Sequence, residues 1–373
     1  MRHKGQVKFV NPNKTDFFPT LKSRVDQYFT DNNICKNGNA TLYFKTFILI
    51  GLYLFPYFYL PFFPETSLGT QYLIWIIGGF GLAGVGMSVM HDAIHESYSA
   101  NKKINKLVGY SLNLLGASIF NWKNQHNIMH HTYTNVSPLD EDINDKVLLK
   151  FSPHSKVKSF HKHQWTFAIA FYSLLTIYWM VAKDFIQFNF HIRKGVNNQS
   201  RRQNSITLSK MIVLKVFYFG FMLVIPIAFF NVSVIHWFLG YITMLAVSGV
   251  ILSLIFQLAH TVEGTSHPQP NSKGEIENDW AIHQLQTTVN FSRNNPFINW
   301  YVGGLNFQVE HHLFPRISHV HYKAISPIVK ATAEEYGIDY LENETFAGAV
   351  GSHVRLLKKL GIKEPVYHLA MES

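Results

Sequence analysis

Long apolar runs that are almost free of charge are the feature that most restricts how this chain can fold. A helix rises about 1.5 Å per residue, so a run of about 20 residues crosses a hydrocarbon core of about 30 Å. One run contains a charge, Lys215, a turn from its start, where the side chain is expected to reach the membrane interface. The runs that are long enough, or nearly so, are residues 46–63, 71–90, 211–230 and 232–258.

The basic residues indicate on which side of the membrane each connecting segment lies. The two short turns 64–70 and 231–232 contain no Lys or Arg. By the positive-inside rule, segments rich in these residues are cytoplasmic. The net charge of +10 then follows from topology and an anionic inner leaflet, and no nucleic-acid partner is needed. Of the 33 Lys and Arg residues, all except Lys215 lie in segments 1–45, 91–163, 183–210 and 260–373.

Histidines are concentrated in three short motifs. Of the 20 histidines, seven lie in His91-Asp-Ala-Ile-His95 (box one), His126-Asn-Ile-Met-His130-His131 (box two) and Gln308-Val-Glu-His311-His312 (box three). Residues four apart on a helix share a face, so His126 and His130 can share one ion while His131 leans toward a second. The only cysteine, Cys35, is far away in sequence, which excludes a thiolate zinc site and a disulfide framework. Imidazole suits iron, copper, zinc and nickel alike, so the ligand type does not identify the metal.

The boxes constrain the topology if they build one site, because they must then lie on one side of the membrane. The run 164–182 has basic flanks on both sides and is interpreted as a buried or interfacial helix. The run 107–120 is too short to span. The sequence therefore predicts an all-α integral membrane protein, with about four transmembrane helices in two hairpins and a cytoplasmic helical cap that carries the boxes.

Two further histidines are candidates for the same site. His260 ends the fourth run as the helix emerges on the cytoplasmic side, beside the expected metal centre, and is predicted to be a ligand. His283 is either a ligand or a residue of the surrounding structure. Eight further histidines are interpreted as having no role in the site: His161, His163, His191, His236, His319, His321, His353 and His368.

The boxes HDAIH, HNIMHH and QVEHH, in this order and spacing, resemble those of the membrane fatty acid desaturase family. The flanking sequences WKNQHNIMHHTYTN and NFQVEHHLFPRISHVHY strengthen the resemblance, which runs from about residue 45 to 335. Glutamine at the start of box three is similar to acyl-lipid and front-end desaturases and their bacterial acyl-CoA relatives. The domain organisation implied is a basic cytoplasmic N-terminal segment (1–44), the desaturase domain (45–335) and a cytoplasmic C-terminal tail (336–373).

The resemblance implies a pair of non-haem iron ions, with no bound haem or flavin. The resemblance assigns eight imidazoles to the two iron ions. Gln308 is either a further ligand or a residue next to a ligand. Asp92 and Glu310, inside the boxes, are expected either to hydrogen-bond the distal ring nitrogens or to be ordinary solvated charges. The ligands expected are His91, His95, His126, His130, His131, His260, His311 and His312.

The implied reaction introduces a double bond into an acyl chain, carried by CoA or by a lipid, with O2 and two electrons. The sequence has no His-Pro-Gly-Gly haem motif, so the electrons are expected from a separate ferredoxin or cytochrome b5 with its reductase. The expected location is a bacterial inner membrane. A related hydroxylase of fatty acids, alkanes or carotenoids is the nearest alternative. A metal-ion transporter is a second alternative. The position of the boxes outside the predicted spans argues against it.

Overall fold

The structure, a computed structural model, describes residues 7–11, 14–143 and 148–362; His368 lies outside these ranges. The described chain is mostly helical, which confirms the predicted fold class. Its β-strands are short, with β1 (Lys8–Phe9) parallel to β2 (Glu275–Ile276) and β3 (Asn290–Phe291) parallel to β4 (Glu342–Asn343).

Helices of very different lengths make up the rest of the described chain. Three of them contain π-helical turns, at Val85–Val89, Trp179–Lys183 and Gly220–Val224, and α6 continues into a fourth such segment, Lys123–His130. The helices are α1 (Phe17–Asp31), α2 (Ala40–Tyr59), α3 (Leu68–Ile94), α4 (Lys102–Gly109), α5 (Ser111–Leu114), α6 (Ile119–Trp122), α7 (Ser159–Tyr172), α8 (Leu175–Arg193), α9 (Arg201–Phe229), α10 (Val234–His260), α11 (Trp280–Thr287), α12 (Pro296–Tyr301), α13 (Gln308–Leu313), α14 (Tyr322–Glu335) and α15 (Phe346–Leu360), with a 3₁₀ turn at His319–His321.

Four of these helices, α2, α3, α9 and α10, are long and apolar enough to cross a membrane, as predicted. Their ends differ from the apolar runs because polar caps and neighbouring residues extend the helices. The side chain of Asn39 accepts hydrogen bonds from the backbone N–H groups of Thr41 and Leu42, so α2 begins before the apolar run. The helix α3 continues to Ile94 and therefore includes part of box one.

The helix α3 lies between α2 and α10, and glycines allow the close approach. A methyl group on Gly79 would lie 2.8 Å from the carbonyl oxygen of Met244 in α10, and one on Gly81 would collide with the backbone nitrogen of Tyr53 in α2. Small residues at helix contacts let backbones pack tightly inside a membrane. The glycine series before box one therefore serves helix packing.

The side chain of Lys215 points into the protein, so the expectation that it would extend outward to the membrane interface is wrong. Its ammonium group is buried and lies 2.9 Å from the carboxylate of Asp184 in α8. It also donates hydrogen bonds to the carbonyl oxygens of Gly116 (2.7 Å) and Met180 (2.6 Å). A buried ammonium is tolerated only with such partners, which α8 and the turn after α5 supply.

The ambiguous run 164–182 forms parts of α7 and α8, which meet at a bend of 63°. The bend begins at Ser173, the C-terminal cap of α7. The pair forms either one broken span or a segment that enters without crossing. The interpretation of this run as a helix that does not cross stays a prediction.

The cap that holds boxes two and three is built from helices remote in sequence. Phe17, Leu21 and Val25 of α1 form a buried apolar cluster with Ile325 and Val329 of α14. This cluster also includes residues of α13, which carries box three. Burial of these side chains therefore fixes box three against the rest of the cap.

Candidate metal centre

Box one lies at the end of α3, directly after a π-helical turn. His91 and His95 are one turn apart, with ring centroids 4.8 Å from each other. Glu96 follows in the left-handed region, at φ 64°, and ends the helix. A single residue, Met90, separates the π-helical turn from His91. The turn is therefore part of the segment that carries both rings into the cap.

Box two lies on the π-helical segment Lys123–His130. Ser118 caps the preceding helix by accepting a hydrogen bond from the backbone N–H of Asn121. The rings of His126 and His130 stack with centroids 5.2 Å apart, and Trp122 packs 4.3 Å from His126. His126 and His130 both lie on this π-helical segment, and each of them also approaches histidines from other helices.

Box three comes from α13, and His260 comes from the last residue of α10. The rings of His260 and His312 are 4.9 Å apart, and those of His91 and His311 are 4.5 Å apart. The structure therefore brings His260 into contact with the boxes, where the sequence placed it.

The eight predicted ligands form two adjacent clusters. Ligand atoms in each cluster lie within 4.8 Å of one another. His126 belongs to one cluster and His130 to the other, although these two also approach Asp142 together. The first cluster is His91, His95, His126 and His311; the second is His130, His260 and His312; and His131 groups with His311 and His312 between them.

Most of the clustered imidazoles are buried and neutral, the form that binds metals. Burial lowers the pKa of His95, His126, His131, His311 and His312 well below the ordinary value, because an apolar site disfavours the charged ring. His130 differs: burial acts to lower its pKa, but Asp140, with Asp142, outweighs it and the pKa is raised.

Four of the histidine rings have a polar partner at Nδ1, the ring nitrogen that points away from the clusters. Asp140 Oδ2 lies 3.1 Å from Nδ1 of His130, and Gln284 Oε1 lies 2.8 Å from Nδ1 of His312. The carbonyl oxygen of Thr287 lies 3.3 Å from Nδ1 of His260, and the hydroxyl of Tyr322 lies 3.3 Å from Nδ1 of His311. Such contacts leave Nε2 free to face the centre. Sequence reasoning missed these residues; only Asp140, ten positions after His130 in an acidic stretch, carried a local signal.

Asp92 and Glu310 do not contact the distal nitrogens of box histidines, so that expectation is wrong. Asp92 accepts a hydrogen bond from the Ser318 hydroxyl at 2.6 Å. Glu310 accepts hydrogen bonds from Asn290 (2.8 Å) and Tyr340 (2.6 Å), and burial raises its pKa to about 7. Both carboxylates are buried, so neither is an ordinary solvated charge.

Gln308 lies at the second cluster, whereas His283 does not. The amide nitrogen of Gln308 is 2.9 Å from Nε2 of His260 and 3.2 Å from Nε2 of His312. A half-turn of the amide places its carbonyl oxygen there instead, as a metal ligand requires. His283 belongs to none of the clusters in the described chain, and its ring packs 4.9 Å from Phe9.

Several histidines that were expected to be without a role are buried and bonded. His319 lies 3.0 Å from Asp92, and His191 lies 2.5 Å from Glu141. His353 lies 2.7 Å from the hydroxyl of Tyr172, and His161 is buried. These contacts join elements distant in sequence, and none of the four lies in a ligand cluster of the described chain. Among the members of this group that lie in the described ranges, His163 is the one that is exposed.

Residues 68–343 match the family model for fatty acid desaturases, which covers most of the chain and all three boxes. The chain belongs to the fatty acid desaturase family. This desaturase is 34% identical over 346 residues to the sn-1 linoleoyl-lipid 6-desaturase of Arthrospira platensis, with 93% of each chain covered. It is 32% identical to the enzyme of the same name from a Synechocystis species, over 95% of this chain and 98% of the relative.

A longer relative also matches. This desaturase is 32% identical to the acyl-lipid (8-3)-desaturase of Physcomitrium patens, over 97% of this chain and 75% of the relative. The predicted family is thus confirmed, and the chain is an oxidoreductase that desaturates fatty acyl chains. The transporter alternative is set aside.

Proposed function

We propose that the two histidine clusters hold two iron ions and that the enzyme desaturates acyl chains of membrane lipids. The observation that carries this proposal is the pair of adjacent clusters of buried imidazoles. Among the described residues, Nε2 of His95, His130 and His311 is buried without a hydrogen-bond partner. Buried polar atoms are normally paired, so these orphaned donor atoms fit a bound cation.

Imidazole nitrogen with an amide oxygen is a donor set that suits iron. His91, His95, His126 and His311 would hold one ion, and His130, His260 and His312 the other, with His131 beside both. Bound iron supplies the oxidation by O2 that removes two hydrogens from adjacent methylene carbons.

The protein's own part is to position these ligands and to exclude water. Asp140 and Gln284 fix the rings of His130 and His312, so each presents the same nitrogen inward. Trp122 packs against the rings of His91, His95 and His126 and covers the first cluster with apolar surface. A dry site protects the acyl chain from side reactions.

The relatives support a lipid-linked substrate, because their names specify acyl-lipid and linoleoyl-lipid desaturases. The test is expression in a host that lacks such activity, with linoleate supplied, followed by chromatography of the fatty acids of each lipid class. A new double bond in lipid-bound chains is expected. Hydroxylated chains instead would favour the related hydroxylase, and products found only on CoA would contradict the lipid-linked substrate.

We also propose that the boxes lie on the cytoplasmic face of a bacterial inner membrane. The basic residues around the boxes and the absence of Lys and Arg in 64–70 support this orientation. Glu65 and Asn198 are both exposed, and cysteines placed there should react with an impermeant reagent from opposite sides. Labelling of both from outside the cell would contradict this topology.

The electron donor proposed is a separate ferredoxin or cytochrome b5 with its reductase. The reaction needs two electrons, and the single cysteine leaves no set of thiolates for an iron–sulfur cluster within the sequence. Purified enzyme should be nearly inactive with NADPH alone and should turn over when reductase and donor are added. Full activity with NADPH alone would contradict the proposal.

A further inference from the structure

A cavity of about 510 Å³ opens beside the histidine clusters, between α4–α6 and α9. Small-molecule sites are typically about 300–1,000 Å³ in volume. Ala93 and Ile94, which lie between His91 and His95, line this cavity, and so does Lys123, three residues before His126. The lining contains no histidine within the part of the chain that the structure describes. The cavity is therefore adjacent to the ligand clusters and distinct from them.

The mouth of the cavity is strongly basic. Glu96 is the one exposed carboxylate among the lining residues that the structure describes. At the deep end, Lys215 is paired with Asp184, so this pair adds no net charge. Basic groups around a concave site concentrate anions there. The exposed lysines that line the cavity are Lys102, Lys106, Lys123 and Lys210.

One face of α9 lines the cavity and continues into the apolar part of that span. Lys210, Met211 and Leu214 are on this face, with Lys210 directly before the apolar run that begins at residue 211. Leu214 is partly exposed, and Phe217, one turn further along the helix, is 72% exposed. The cavity thus borders the exposed apolar surface of a candidate membrane span, with Lys210 at the polar end of that surface, where headgroup-level lysines are typical.

The helix α4, on the other side of the cavity, has the character of an interfacial helix. Leu107 is 73% exposed and Ile104 is 42% exposed, next to Lys103 and Lys106. Exposed apolar side chains interleaved with lysines are typical of helices that lie in the headgroup layer of a membrane. Both walls of the cavity therefore indicate an opening toward the lipid interface.

We propose that this cavity binds the phosphate-bearing head of the acyl substrate, with Lys102, Lys106, Lys123 and Lys210 around the phosphate. Lysine ammonium groups bind phosphate as point charges and need no fixed orientation. Lys123 lies three residues before a box-two histidine, so a phosphate bound there keeps the carboxyl end of the acyl chain close to the clusters. The proposal rests on the proposed desaturase function. The phosphate can come from a phospholipid or from CoA.

The experiment uses the full-length protein in detergent, mixed with phosphatidylglycerol that carries a photoreactive group beside its phosphate. Labelled peptides are mapped by mass spectrometry, and unlabelled phosphatidylglycerol, an uncharged glycosyl diacylglycerol and an acyl-CoA compete separately. The double variant Lys106→Gln/Lys210→Gln is compared with Lys103→Gln, because Lys103 is exposed on the same helix but does not line the cavity. Steady-state turnover on the same lipids is measured in parallel.

We expect labelling of peptides in 93–123 or 207–215, and competition by a phosphate-bearing lipid or by acyl-CoA, whichever is the source. The double variant should raise the apparent KM for the competing substrate about 25-fold, or about fivefold per lysine, as expected for basic residues at an anionic surface. Lys103→Gln should behave like the native chain.

Equal competition by the uncharged lipid, labelling elsewhere, or equal effects of Lys103→Gln and the double variant would overturn the proposal. Labelling is independent of turnover. A native chain that is labelled selectively but makes no double bond would therefore contradict the proposed function while supporting the phosphate site.

Discussion

Nδ1 of His319 lies 3.0 Å from Oδ2 of Asp92, and both side chains are buried. The same carboxylate oxygen accepts hydrogen bonds from the Ser318 hydroxyl (2.6 Å) and from the backbone N–H of His319 (3.3 Å). On the far side of the ring, Nε2 of His319 lies 2.8 Å from the ammonium of Lys45 in α2. Asp92 therefore ties box one to the turn after box three and, through His319, to the first span.

Asp92→Asn should lower both the thermal stability and the iron content of the purified protein. The substitution removes a buried carboxylate that accepts hydrogen bonds from the Ser318 hydroxyl and the His319 backbone, and losing a hydrogen bond to a charged group costs about 1.5–3 kcal/mol. Thermal unfolding in detergent and elemental analysis check this. Glu335→Gln, which breaks an exposed ion pair with Arg24, is the control and should change neither. Native stability in Asp92→Asn would contradict the role of this contact.

His130→Ala should remove iron and abolish double-bond formation while the protein still inserts into the membrane. The ring lies in the second cluster, and its Nε2 has no other partner among the described residues. Iron per chain and the fatty-acid profile are the measurements. The control is His163→Ala, because His163 is exposed, whereas His161 and His191 are both buried. Equal damage at positions 130 and 163 would mean that the boxes are not the ligands.

His191→Ala should destabilise the protein by about 1.5–3 kcal/mol, because it removes a hydrogen bond to the partly buried carboxylate of Glu141. Its ring contacts Glu141, which in turn accepts a hydrogen bond from Gln187 at 2.8 Å. Gln187 also donates to Gln125, in the segment that carries box two. Chemical unfolding of membrane-reconstituted protein checks this. A stability equal to that of His163→Ala would show that the network contributes nothing.

Lys215→Met should be strongly destabilising, and the second change Asp184→Asn should recover most of the loss. The single substitution leaves the buried carboxylate of Asp184 without its cation, a cost of about 3–5 kcal/mol, whereas removing both charges relieves it. A double-mutant cycle of unfolding free energies measures the coupling. Additive effects of the two substitutions would rule out the pair as an energetic unit.

Gly81→Ala should impair folding, and Gly51→Ala should not. A methyl group at position 81 collides with the backbone of Tyr53, whereas at position 51 it meets open space. Away from contacts, alanine is preferred to glycine in a helix by about 1 kcal/mol, so the two substitutions should act in opposite directions. Yield of monodisperse protein and melting temperature are the measurements, and similar values for both variants would contradict the packing of α3 on α2.

The sequence by itself determined the features that depend on local pattern. Apolar runs predicted the four long helices, because hydrophobicity over about 20 consecutive residues decides whether a helix can span. The motifs His91-Asp-Ala-Ile-His95, HNIMHH and QVEHH predicted the family, which the comparisons confirm. The end of the fourth run also placed His260 near the boxes, because the topology brings that end to the same side.

Only the tertiary structure decided which side chains meet. It grouped His126 with His91 and His130 with His312, whose rings come from other helices. It turned Lys215 inward, since Asp184 lies within reach on a neighbouring helix. It also gave the backbone N–H of His319 an acceptor 227 positions away, the side-chain carboxylate of Asp92. Contacts of this kind depend on distances across the folded chain, which residue spacing along the sequence does not encode.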